Sequence, residues 1–565
     1  MMRPTLARVT TRPSPGMTIR RPRSGRRHDG ARRTPPMTGT SRARLLTLAA
    51  LGVVALALAL AGPAPAQPKE NVLNVGKYAQ LSTYDPHAGP LDTLWWTGNN
   101  FYESLLDLGD DIVSLRPVLA TSWSASRDGK TYTFKLRENV KFSDGTPFDS
   151  AAVKLSVERA QALKKGAYLW IRPVARVETP SPTTVVFHLE KPNSMFLPGL
   201  RFLLIVSPKA LKEHDKGDQA QGWLREHTAG TGAYVLEQWQ PNIISVAKKN
   251  PHYWRGWPAN KFTTVNLRHV YEPETQRLMI EKGELDWAEN VTKDSLPALK
   301  RNANLTVYEK QGTSIMVTYL NTHAGPTRDR RVRQAIHHLW NQEAFNAITG
   351  HSASPGPLYT PILGKEWKMT NPYPYDPARA KKLLAEAGHA SGGFTLRFQS
   401  QKGDVDKRAI FELMQAELNK LGIKVEFFED TWPALVQKAT DWGRDKSPDT
   451  AIHLFGYFRP MFVPTALDFL FNMFHSEATP QKGGRNFTYY ANPEYDRLVN
   501  EAMATPDRER EAALDRQAAE LVWKEPAVVV NGLIVDKFVA RKDVKGFVYL
   551  GDRVSFRYYD MYRER

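Results

Sequence analysis

Catalysis by a nucleophile, a metal or a phosphate-cradling loop demands particular residues at fixed spacings, and this 565-residue chain offers few such sets. It has no G-x-S-x-G elbow, no H-E-x-x-H pair and no Walker-A loop. The absence of cysteine removes disulfides, thiolate metal sites, a cysteine nucleophile and a lipid-modified N-terminal cysteine together. Gly230-Thr231-Gly232-Ala233-Tyr234 has the small residues of a phosphate loop but neither the later glycine nor the lysine, so it reads as a tight turn entering a strand. His337 and His338 fall in a helical stretch, where sequence neighbours point to different faces, and they read as packed or exposed histidines. No catalytic residue, metal ligand or cofactor is expected.

Aromatic residues are the more suggestive material. Fourteen tryptophans include Trp95, Trp96, Trp254, Trp257 and Trp432, which lie near turns or segment ends. Aromatic walls with a few placed polar groups suit pockets for small ligands. That chemistry is capture, without turnover.

The elements that would position such walls are readable from periodicity. Val72–Val75 is a short strand, and Thr131–Leu136 alternates polar and apolar residues after the Asp128-Gly129 turn signal. Asp144-Gly145-Thr146-Pro147 turns the chain again. A helix is predicted over Ala151–Ala162, with Val153, Val157 and Ala160 on one side, and another strand over Val185–Leu189. Phe394–Phe398 alternates as a strand, and Asp404–Leu421 places Ile410, Leu413, Met414, Leu418 and Leu421 at helical spacing. Gly422 then stops that helix and Lys424–Phe428 resumes a strand. Strand, helix and strand in this order form a parallel crossover unit. A further helix over Pro377–Ala387 closes at Gly388, and no 20–50-residue repeat is evident. The expected architecture is mixed α/β with at least one doubly wound lobe.

The formal charge of +18 invites a nucleic-acid reading, but its distribution argues against one. Residues 1–66 hold twelve arginines and one acid, Asp29, which leaves +7 on the remainder without a basic block. Leu45–Ala61 is an uncharged apolar run preceded by Arg42 and Arg44 and followed by Gly62-Pro63-Ala64-Pro65-Ala66. This is the pattern of a secretory signal peptide cut after Ala66, with an uncleaved anchor as the competing reading. Met37 begins a leader of ordinary length and is an expected alternative start.

Several blocks, taken in order, resemble the bacterial extracellular solute-binding proteins of family 5, the peptide- and nickel-binding group. Phe101-Tyr102-Glu103-Ser104-Leu105-Leu106 resembles its Y-E-G-L block, and Leu115–Trp123 its P-x-L-A-x-S-W block. Asp128–Arg137 follows D-G-x-x-Y-T-F-x-L-R, and Val140–Phe148 completes that signature. Further blocks are Gly230–Tyr234, Asn250-Pro251-His252-Tyr253-Trp254, Leu320-Asn321-Thr322 and Val332-Arg333-Gln334-Ala335. The resemblance runs from about Asn71 to Val548. It implies a two-lobed periplasmic-binding-protein-like fold of type II, class C, with three structural domains and a hinge. Domain I takes 68–103, 174–315 and 526–565, domain II 104–173 and domain III 316–525, after an extension and signal over 1–66. The hinge crossings fall near 316 and 526. The implied activity is capture of a small solute by lobe closure and delivery to a membrane ABC permease, by a monomeric periplasmic protein without nucleic acid.

The chain departs from the peptide-binding members at their G-W-x-x-D-Y-type segment, whose aspartate pairs with the peptide's α-ammonium. Here Gly456-Tyr457-Phe458-Arg459-Pro460-Met461-Phe462 places Pro460 or Phe462 at that position, and no carboxylate occurs between Gly456 and Asp468. Arg459 supplies the opposite charge and is expected to grip an anionic ligand or an anionic metal chelate, since a guanidinium binds a carboxylate bidentately. A solvent-facing arginine at the lobe rim is the competing reading. Tyr457 and Trp432 are expected as aromatic walls, with Trp95 and Trp96 facing them from domain I. Gly356, in the Ser354-Pro355-Gly356-Pro357 turn, is expected at a cleft loop. The rival classes are an exported chaperone-like protein and a secreted enzyme on the same lobes.

Overall fold

Alternation along Thr131–Leu136 produces a strand of that extent, with Tyr132, Phe134 and Leu136 buried. The structure is a computed structural model and describes residues 71–77, 81–89, 100–353, 371–551 and 556–564. In chain order the strands are β1 (Val72–Lys77), β2 (Leu106–Leu108), β3 (Leu115–Pro117), β4 (Ala120–Ala125), β5 (Thr131–Leu136), β6 (Val174–Ser181) and β7 (Thr184–Leu189). After these come β8 (Tyr234–Gln240), β9 (Ile244–Lys249), β10 (Thr264–His269), β11 (Trp287–Ala288) and β12 (Leu305–Leu320). The chain continues through β13 (Thr395–Gln401), β14 (Lys424–Asp430), β15 (Leu454–Arg459) and β16 (Val528–Arg541).

Strands β4, β5, β7 and β6 form an antiparallel sheet in that order. The helix Ser150–Leu163 buries Val153, Val157 and Ala160. Asp149 caps its start by accepting from Ala152 N at 3.0 Å, and Lys164 ends it in the left-handed region. The expected crossover unit is also present: β13 and β14 pair in parallel, joined by the helix Val405–Asn419, with Asp404 as its cap and Gly422 at φ 77° beyond it. Ile410, Met414 and Leu418 are buried, while Leu413 and Leu421 lie at the edge of the same cluster.

One ten-stranded sheet runs through the molecule in the order β14-β13-β15-β12-β16-β11-β1-β10-β9-β8. Its centre is the antiparallel pair β12 and β16, of 16 and 14 residues. The outer end of β12, Leu305–Gln311, pairs with Val535–Arg541, next to β11. The inner end, Ile315–Tyr319, pairs with Val528–Leu533 and, on its other edge, with β15. The register breaks between Gln311 and Ile315. There Thr313 donates through N and Oγ1 to Gly551 O, at 2.8 and 3.0 Å. Alternation divides the core, since Phe455 and Tyr457 join one apolar cluster while Leu454 and Phe458 belong to another.

Four of the sequence blocks that carry the family resemblance, at Phe101–Leu106, Asp128–Arg137, Gly230–Tyr234 and Asn250–Trp254, meet in one place. The Trp254 indole donates to both Glu103 carboxylate oxygens at 3.1 and 3.0 Å, and Thr231 donates to the same carboxylate at 2.8 Å. Arg137 lies 4.1 Å over the Trp254 ring, and burial pushes the Glu103 carboxyl up to about 7. Gly230 and Gly232 press against Phe101 and Tyr102, and a Cβ on Gly230 would sit 2.3 Å from the Phe101 carbonyl oxygen. These glycines are therefore close-approach residues in a scaffold, which accounts for the turn at the start of β8. The Gly230→Ala variant is expected to lose about 1–3 kcal/mol of stability or to fail to fold, read as the urea midpoint. An unchanged midpoint would contradict this packing.

Candidate ligand cleft

Ligands in open α/β sheets sit beyond the carboxyl ends of parallel strands, and here two such ends face each other. In one half β1, β10 and β11 run parallel, and the residues just after β10 and β11 are Tyr271, Glu272 and Asn290. In the other, the residues after β13 and β14 are Gln401–Asp406 and Thr431–Trp432. Together they enclose a cavity of about 600 Å³. A smaller cavity of about 180 Å³ adjoins it at Asn290, Val405 and Asp406 and reaches β16 at Val535–Lys537.

Both rims are held by hydrogen bonds. Gln276, fully buried, accepts from Glu289 N and Asn290 N at 2.9 and 3.1 Å and donates to Val270 O at 2.7 Å. The two rim segments of that half are thereby tied together. On the opposite side Arg408 pairs with Glu429 at 2.6 Å and Lys407 with Asp404 at 3.0 Å. His351 accepts from Val535 N through Nδ1 at 3.2 Å and meets Asp406 through Nε2 at 3.0 Å, joining β16 to the helix that follows β13. Among the described residues there is no group of three or more His, Asp or Glu arranged to hold a metal.

The far wall is aromatic. Trp432 lines the large cavity and stacks on Tyr457, with ring centroids 5.1 Å apart and planes 16° from parallel. Tyr457 stacks in turn on Tyr319 at 5.8 Å, and Phe487 meets Trp432 edge-on at 6.0 Å. Tyr457 is only 5% exposed, so it backs the wall from behind Trp432.

Arg459 is placed differently from the expectation, and its expected grip on a ligand is corrected here. Its side chain is 0% exposed and lies 3.1 Å from Asp468, which is 0% exposed as well. Arg459 also donates to Asp468 O at 2.8 Å and to Pro460 O, and its Cζ sits 4.7 and 5.0 Å from the Phe462 and Phe469 rings. Burial pushes the Asp468 carboxyl up, and the Arg459 guanidinium, the Phe462 N–H and the Asn472 amide pull it back. The guanidinium is thus paired with Asp468 inside the protein, fully buried, with its Nε left without an acceptor among the described residues. Phe462 itself, at one position of the absent aspartate, takes its amide to Asp468 Oδ2 at 2.7 Å and its ring to Trp170 and Phe202 at 6.2 and 6.1 Å. Its carbonyl accepts from Arg201 at 3.2 Å. The loop after β15 is consequently fastened to both halves of the chain.

Trp95, Trp96 and Gly356 lie outside the described residues, as does the apolar leader over 45–61. Sequence reasoning missed Tyr271, Glu272, Asn290, Lys402 and Arg408. The expected strands over 394–398 and 424–428 were the available signal, because the residues beyond their carboxyl ends form one wall.

Two halves that share a central sheet and face each other across a cavity define a two-lobed solute-binding architecture. The family description "Bacterial extracellular solute-binding proteins, family 5 Middle" matches residues 114–480. The chain belongs to the bacterial extracellular solute-binding proteins of family 5. Its part in transport is that of the substrate-binding component of an ABC importer. It is 31% identical over 510 residues to the probable D,D-dipeptide-binding periplasmic protein DdpA of Escherichia coli K12, covering 87% of this chain and 95% of that protein. It is 29% identical over 521 residues to the glutathione-binding protein GsiB of Escherichia coli O1:K1 / APEC, covering 90% and 98%. The fold matches that of Helicobacter pylori DppA in complex with the peptide STSA at a TM-score of 0.77 and 24% identity, over 87% of this chain and 98% of that one. It also matches Campylobacter jejuni NikZ in complex with Ni(L-His) at 0.76 and 19%, over 88% and 100%. These likenesses place the chain in the type II periplasmic-binding fold.

Removing one partner of a buried ion pair leaves the other uncompensated. The Asp468→Asn variant is therefore expected to lose about 3–5 kcal/mol of stability, read by urea unfolding. A wild-type midpoint would show that the pair carries no such weight.

Proposed function

We propose that this protein captures a small peptide-like or anionic solute between its lobes, closes around it and presents the closed complex to a membrane ABC permease. The observation that carries the reading is the cavity of about 600 Å³ whose walls come from strand ends of both halves. That size falls in the range of about 300–1,000 Å³ for small-ligand sites. A ligand touching both walls favours the closed arrangement, because only there does it make both sets of contacts.

The bend is assigned to the register break between Gln311 and Ile315 in β12, facing Leu533–Val535 of β16. Sequence reasoning drew the crossings near 316 and 526, within a three-domain layout over 68–103, 104–173, 174–315, 316–525 and 526–565. The relatives named for D,D-dipeptides and for glutathione favour a short peptide or peptide conjugate. The protein acts without turnover, as a monomer and without nucleic acid. It is exported by the leader ending at Ala66, and no cysteine is available for a lipid anchor. No described helix is long and apolar enough to cross a membrane.

A ligand bound only by the native state raises stability by about 2.7 kcal/mol at a hundred times its Kd. D-alanyl-D-alanine or glutathione is expected to raise Tm with concentration. The Trp432→Ala variant is expected to weaken the same binding at least tenfold by calorimetry. No Tm shift with either compound, together with no solute copurifying by mass spectrometry, would contradict the capture reading.

A further inference from the structure

Next to the aromatic wall lies a second buried guanidinium, and among the described residues no carboxylate matches its charge. Arg485 is 6% exposed, and its Cζ sits 5.4 Å from the Trp432 ring centroid. Its hydrogen bond within the described residues runs from Nη1 to Gly484 O at 3.3 Å, and Nε is buried without an acceptor. No carboxylate among the described residues lies within ion-pair distance of it. Arg459 also has a buried Nε without an acceptor, and it differs in having the Asp468 carboxylate at 3.1 Å. The Tyr319 hydroxyl is also buried without a partner, and it feels the charge of both arginines. Among the described residues the aromatic wall therefore carries an excess of one positive charge and at least two buried polar groups without a partner.

The placement of Arg485 is built into the loop. Gly483 takes φ 78°, and at Gly484 a Cβ would sit 2.0 Å from Ala478 O, so the chain turns tightly against the preceding segment. Asn486 then donates its amide side chain to His475 O at 3.1 Å and Tyr490 O at 2.9 Å and its backbone N–H to Ala478 O at 2.7 Å. A guanidinium held over an indole face keeps its in-plane N–H edge for a bidentate acceptor.

We propose that Arg485 is the anion anchor of the cleft, taking the carboxylate of the ligand beside Trp432. This rests on the capture reading above and sharpens it. The anionic end of the guest lies against the half that carries β13–β15. An unmatched buried charge is costly until a counter-charge arrives, which makes binding the event that completes the site.

The test uses Arg485→Met and Arg485→Lys with D-alanyl-D-alanine and glutathione, each as free acid and as carboxamide. Without ligand, Arg485→Met is expected to keep or raise Tm, since it removes an unmatched charge. A large fall in its Tm would assign Arg485 to the scaffold and overturn the proposal. By calorimetry Arg485→Met is expected to weaken binding of the acids at least a hundredfold and Arg485→Lys about tenfold, with the carboxamides weak and indifferent to either change. Equal binding of acid and amide, or acid binding untouched by Arg485→Met, would overturn the anchor and leave the capture reading standing. Failure of every probe and of any copurifying solute would instead remove the capture reading beneath it.

Discussion

The central antiparallel pair β12 and β16 constrains everything else, because both halves of the protein hang from the same two strands. A sheet is stiff along its hydrogen-bonded ladder, and bending concentrates where the ladder is interrupted. Here the ladder shifts register twice in close succession, at Gln311–Ile315 and at Met316–Val317. Gly312 and Thr313 sit at the first of these, packed against Tyr549, Asp536 and Gly551. The cavity opens beyond strand ends on each side of that pair of strands.

Electrostatics then decides what kind of guest the walls accept. Two arginines flank the aromatic stack, and the fold treats them differently. Arg459 is locked to Asp468, and this pair also holds the loop through Phe462 that reaches Trp170 and Phe202. Such a pair gives little net stability over an apolar replacement, but breaking it is costly. It acts as a clasp for the loop. Arg485 keeps its charge beside Trp432.

Much of the scaffold was legible in the residues, and the reasons are local. Thr131–Leu136 alternates strictly and folds as β5, and the spacing of Ile410, Met414 and Leu418 marks a helix that Gly422 ends. Tyr457 and Arg459 lie on one face of β15, as alternation demands. What could not be read was that the helix Ala466–Phe474 covers this face and brings Asp468 to Arg459. A strand pattern tells which side chains share a face but not what packs over it. The rim residues Tyr271 and Asn290 follow a six-residue and a two-residue strand, whose parallel pairing with β1 joins positions about 200 residues apart and leaves no trace in periodicity. The blocks of family resemblance were visible for a different reason. Four of them converge on Glu103, Thr231 and Trp254, where close packing and shared hydrogen bonds demand particular residues.

The account's central claim is that the halves move about β12 and β16 when a guest is held between them. The chain has no cysteine, so Lys282→Cys and Lys420→Cys place two spin labels cleanly on exposed sites of opposite halves. Pulsed electron–electron distance measurement with and without a compound shown by calorimetry to bind tests the claim most directly. The distance distribution should narrow and shift on binding; an unchanged distribution at saturation would contradict lobe closure.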